Sequence, residues 1–134
     1  VRRLRLILIA ALLLTPACGV PTSLHTPQGV TAYRSDEAVK RLGELQNAVI
    51  DAQQSGKMPT ATARVIVAGI SGDVRATPPQ TGLLDVLQQT PEGWKATAKA
   101  SWDALRTRVL SVPAVASYVP ILDPLIAALL AQGQ

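Results

Sequence analysis

Ser35-Asp36-Glu37-Ala38-Val39-Lys40-Arg41-Leu42-Gly43-Glu44-Leu45-Gln46-Asn47-Ala48-Val49-Ile50-Asp51-Ala52 decides the fold class. Ala38, Leu42, Leu45, Val49 and Ala52 recur at steps of four and three, the spacing that puts side chains on one face of an α-helix. Val39 and Ile50 widen the stripe. Ser35 has the side chain of an N-cap, and Asp36 and Glu37 suit the positive end of a helix dipole. Gly56 suits the left-handed position after a last turn. The pattern predicts a helix from Ser35 to Ser55. A core-facing helix is the simple reading. A coiled-coil seam is the alternative, although two heptads are short for one.

The same period continues toward the C-terminus. Ala63, Ile66, Ile70 and Val74 predict a second helix over Thr60–Val74, with Pro59 ahead of it. Val65-Ile66-Val67 is β-branched, but no second strand offers itself as a partner. Gly69-Ile70-Ser71-Gly72-Asp73 lacks the Lys and Ser/Thr of a phosphate-cradling loop, so the two glycines mark close helix packing or an early helix end. Thr77-Pro78-Pro79-Gln80 has a cap, a first-turn proline and a capping-box spacing, and predicts a short helix carrying Leu83, Leu84 and Leu87. Thr90-Pro91-Glu92 repeats the signal for a helix reaching Ser111. On it, Trp94, Ala98, Trp102, Leu105 and Val109 share one face, so both tryptophans are expected to anchor the core. A ligand-stacking platform is the alternative. Residues 109–131 are strongly apolar, but Pro113, Pro120, Pro124 and the charge of Asp123 disfavour a membrane span. Asp123-Pro124 reads as cap and first turn of a last helix, with Leu125, Ile126, Leu129 and Leu130 inward. A membrane-surface or partner-binding helix is the alternative there. The fold class expected is all-α: a small bundle of four to five short helices.

The chain has 134 residues, enough for one small domain, and no Phe. Ala and Leu dominate its apolar content, in keeping with helix. The formal charge of +4 is concentrated at the start, in Arg2, Arg3 and Arg5. From Cys18 onward ten basic residues face nine acids, which removes the concentrated basic footprint that a nucleic-acid partner needs. With Cys18 as the single cysteine, no intramolecular disulfide can form. His25 is the single histidine. It has no cluster of ligands or nucleophile around it, so no catalytic residue, metal, cofactor or small-molecule substrate is expected.

The N-terminus carries the most specific signal. Val1-Arg2-Arg3-Leu4-Arg5 is a positive n-region. Leu6–Leu14 is a nine-residue apolar run, the length of a signal h-region and well short of the ~20 residues that span a bilayer. Leu12-Leu13-Leu14-Thr15-Pro16-Ala17-Cys18 then resembles a bacterial lipoprotein signal. The resemblance covers residues 1–18. It implies a diacylglycerol thioether on Cys18, cleavage before that residue and acylation of the new amino terminus. Ala17 fits the pattern, whereas Thr15 and Pro16 depart from it. Thr15 and Ala17 also suit ordinary signal peptidase, which leaves plain secretion open, with an uncleaved anchor as the further alternative. Gly19, not Asp, follows the cysteine; in a host with two membranes the resemblance then implies the outer one.

The expected layout is a signal peptide at 1–17, the lipidated cysteine and a Pro- and Gly-containing tether at 18–34, and a helical domain at 35–132. Arg41-Leu42-Gly43-Glu44-Leu45-Gln46-Asn47-Ala48 and Thr90-Pro91-Glu92-Gly93-Trp94-Lys95-Ala96-Thr97-Ala98 resemble stretches of small bacterial and phage-encoded exported helical proteins, a likeness that implies no established activity. The expected function is that of a non-enzymatic, lipid-anchored envelope protein, with a membrane bound through Cys18 and an envelope protein as partners. A phage-derived accessory to lysis or superinfection exclusion, and a secreted helical binding protein, are the alternatives.

Overall fold

The computed structural model describes residues 27–132. Residues from Arg34 onward form one compact unit. The described residues are all-α as expected: helices α1 (Pro27–Gln54), α2 (Thr60–Ser71), α3 (Leu83–Gln89), α4 (Trp94–Leu110) and α5 (Val119–Ala131), with a 3₁₀ turn at Ala116–Tyr118 leading into α5.

The apolar faces fall where the periodicity puts them. Ala38, Leu42, Leu45, Val49 and Ala52 of α1 are buried together with Ala63, Ile66 and Ile70 of α2. Leu83, Val86 and Leu87 of α3, and Ala98, Trp102, Leu105 and Val109 of α4, join the same core. Val119, Leu122, Ile126 and Leu129 complete it from α5, and Met58, Val112 and Val115 enter it from the connections. Ile50, expected on the stripe of α1, stands exposed. Leu125 and Leu130 of α5 are only partly buried.

The helix boundaries differ from the reading of the sequence, and each difference has a physical reason. α1 is already helical at Pro27, the first described residue, eight residues before Ser35, and so runs through residues assigned to the tether. Ser35 is therefore no cap: its hydroxyl donates to the Leu87 carbonyl at 3.0 Å, one of the carbonyls left free in the last turn of α3. The end of α1 is as expected. Gly56 has φ +76°, with Lys57 N–H donating to Ala52 O at 2.8 Å and Gly56 N–H to Gln53 O at 3.2 Å, the pair of bonds of a Schellman motif.

α2 stops at Ser71 because Gly72 turns to φ +84°, which leaves Val74 87% exposed instead of on the helix face. Thr77-Pro78 does not start α3. Residues 73–82 form a loop closed by two reciprocal backbone bonds between Asp73 and Gln80, both 2.9 Å, and the Thr77–Pro78 peptide is cis. Thr90 does not cap α4 but closes α3, at φ +43°, donating its N–H to Val86 O. Asp123 is likewise interior to α5, which starts at Val119 with Pro120 in its first turn and Pro124 inside.

Two glycines set the approach of α2 to α3. A Cβ on Gly72 would stand 2.7 Å from Gln80 O and 2.9 Å from Gly82 N. A Cβ on Gly82 would overlap the backbone of Ile70, Ser71 and Gly72. Gly69 does the same more gently toward α4, where a Cβ would lie 3.2 Å from Leu105 Cδ1.

Candidate functional site

Cys18, the expected lipidation site, lies outside the described residues, as do His25 and the arginines of the n-region. Asp36 and Glu37 lie within α1, where Asp36 is exposed and Glu37 half-buried. Trp102 is buried, in line with its role as a core anchor. Trp94 is half-buried at the start of α4, with Lys95 Nζ 6.0 Å from its ring centre.

The carboxylates that take part in side-chain contacts are spoken for. Asp123 accepts the Trp102 indole N–H at 2.8 Å and the Arg106 Nε–H at 2.9 Å. This arrangement, between side chains 21 and 17 residues apart in sequence, fastens α5 to α4 through a buried aromatic ring. Glu44 accepts from Arg41 at 2.9 Å, a bond that with the nearby charge holds the Arg41 guanidinium above its ordinary pKa. Asp103 pairs with Lys99 at 2.7 Å across one helical turn. Lys95 Nζ donates to the Gln132 carbonyl, so the start of α4 meets the end of α5. Among the described residues no group of three or more His, Cys, Asp or Glu stands close enough to hold a metal ion. None of their helices is long and apolar enough to cross a membrane.

Among the described residues, three hollows adjoin α2. Two adjoining hollows of about 270 and 390 Å³ lie between α2 and α4 and share Val65 and Arg108 in their walls. Gly69 and Ala104 border the larger one, and small side chains there leave room between the helices. A third hollow, about 480 Å³, opens on the other flank of α2 between Arg64 and Arg75. No protein-family model, curated protein or solved structure matches the chain.

The arginines of this surface, Arg64, Arg75 and Arg108, were not singled out by the sequence. A signal was present. Thr60–Ser71 contains no acidic residue and only one charged one, Arg64, an unusual composition for a helix with one face in water.

Proposed function

We propose that this chain is a non-enzymatic protein of a bacterial cell envelope, held at a membrane by lipid on Cys18 and acting through contact with another envelope component. The observation that carries the reading is the run from Arg2 to Cys18: three arginines, nine apolar residues, a short break and the single cysteine. A thioether-linked diacylglycerol contributes about 0.8 kcal/mol for each methylene it buries, and two chains together give stable attachment. In a host with two membranes, Gly19 after the cysteine directs the protein to the outer one. The non-enzymatic part of the proposal draws on the acids: Asp123, Glu44 and Asp103 each hold a neighbouring side chain in place.

Intact-mass measurement of the protein extracted from membranes, beside the Cys18→Ser variant, tests the anchor. The expected result is a chain that begins at Cys18 and carries the mass of diacylglycerol, with that mass absent from the variant. A chain cut at the same bond without lipid, or one that keeps its first 17 residues, overturns the anchor. Turnover of a cell-wall substrate by the lipid-free domain overturns the non-enzymatic reading.

A further inference from the structure

A helix with one face in the core of a soluble domain ordinarily turns charged and polar residues outward. α2 carries one charge, Arg64, and exposed hydroxyls only at its ends, Thr60 and Ser71; between them its outward face holds Ala61 and Val65, both exposed, and half-buried Ala68. Val65 is 40% exposed. Arginines rim this apolar ridge on both sides. Arg64 and Arg75 line one hollow, and Arg108 of α4 lines, with Val65, the hollow on the other flank. None of the three is in an ion pair with a described residue. Asp73 is the one acid in the lining, and its Oδ1 accepts the backbone N–H of Arg75 at 2.9 Å. Beside Arg75, Val74 projects with 87% of its surface free.

Apolar side chains ringed by arginine are the pattern of surfaces that lie in the headgroup layer of a membrane, where the apolar part meets the acyl boundary and the guanidiniums meet phosphate. We propose that the outward face of α2, with Arg64, Arg75 and Arg108 around Val65 and Val74, rests on an anionic phospholipid surface. The contact deepens the envelope reading given above: lipid on Cys18 keeps the protein at the bilayer, and this face turns the helical domain toward it. Each arginine near an anionic surface strengthens binding roughly five-fold, so the three together account for about 100-fold.

The core runs from Ala38 to Leu129, so a chain of residues 19–134 keeps all of it and carries no lipid. Its co-sedimentation with phosphatidylglycerol vesicles and with pure phosphatidylcholine vesicles reads the contact independently of the anchor. The expected result is binding to the anionic vesicles only, weakened by added salt. The triple variant Arg64→Gln, Arg75→Gln, Arg108→Gln is expected to bind about 100-fold more weakly with an unchanged helical circular dichroism spectrum. The triple variant Lys40→Gln, Lys57→Gln, Lys99→Gln removes the same charge elsewhere and is expected to bind nearly as well as the parent chain. Val74→Glu, at an exposed loop position, is expected to weaken binding in the same direction as the arginine variant and serves if that variant loses its fold.

Equal binding to both vesicle types, or equal loss in the lysine variant, overturns the proposal. Displacement by inorganic phosphate at concentrations too low to screen charge would reduce the site to a small-anion pocket and also overturn it. Stronger binding to poly-glutamate than to the vesicles would do so in favour of an acidic protein.

Discussion

Gly82→Ala isolates what holds α2 against α3. Gly82 has φ −81° and ψ 158°, values any residue adopts, so the substitution adds no backbone strain and the whole effect is contact. The new methyl would overlap backbone atoms of Ile70, Ser71 and Gly72, none of which can swing aside as a flexible side-chain end can. Relief requires the C-terminal turn of α2 to part from the N-terminal turn of α3. Overpacking of this kind costs about 1–3 kcal/mol. Weakening the two Asp73–Gln80 backbone bonds beside it adds about 1 kcal/mol for each. The expected loss is about 3–5 kcal/mol, a large part of the roughly 5–15 kcal/mol that keeps a domain folded. Gly43→Ala supplies the matched control. It lies inside α1, nothing stands within 4 Å of its would-be Cβ, and the change is expected to stabilise by roughly 0.5–1 kcal/mol. Urea unfolding of both variants, followed by far-ultraviolet circular dichroism and tryptophan fluorescence, measures the two effects. If Gly82→Ala unfolds within about 1 kcal/mol of the parent chain, well inside the spread of ordinary substitutions, the close-approach argument fails.

Asp123→Ala leaves the Trp102 indole N–H and Arg106 without their acceptor and is expected to cost about 1–2 kcal/mol in urea unfolding, discounted because the carboxylate is part-exposed; Asp123→Asn, which keeps an acceptor, should lose less. Pro124→Ala restores a donor for the Pro120 carbonyl inside α5 and is expected to stabilise by about 1 kcal/mol, whereas a first-turn proline would yield little or nothing on replacement. Thr90→Gly removes a β-branched residue from φ +43° and is expected to raise the thermal midpoint, with a gain of up to about 1 kcal/mol; a fall would show that Thr90 acts through its side chain.

The buried faces of the helices were legible because a 3.6-residue period survives whatever the ends of a helix do. The starts were misread for a common reason. Thr77-Pro78, Thr90-Pro91 and Asp123-Pro124 all carry a cap-and-proline signature, yet the helices begin at Leu83, Trp94 and Val119. None of helices α2 to α5 has a side-chain cap hydrogen bond at its start. Such a bond is worth about 1 kcal/mol, less than the packing that places Leu83, Trp102 and Leu122 in the core. Gly82 could be read locally only as a weak helix former, because its role depends on Gly72 ten residues earlier. Asp123 looked like a cap because Trp102 and Arg106 are far from it in sequence. Of the candidate sites, Cys18 came from a purely linear signal. The arginine rim of α2 came from the fold setting Arg75 beside Arg64 on one flank and Arg108 on the other, an arrangement no linear pattern displays.

The loop from Asp73 to Gln80 is tied at its base on both strands and touches α2 and α3 there through backbone atoms. The positions of these helices therefore depend little on which side chains occupy the tip. Side chains at Val74 and Arg75 can change without disturbing the core, and the tip can be lengthened at small entropic cost, about 0.6 kcal/mol for each doubling. A lineage can thus alter what this edge of the protein meets, residue by residue, while the core inherits no penalty.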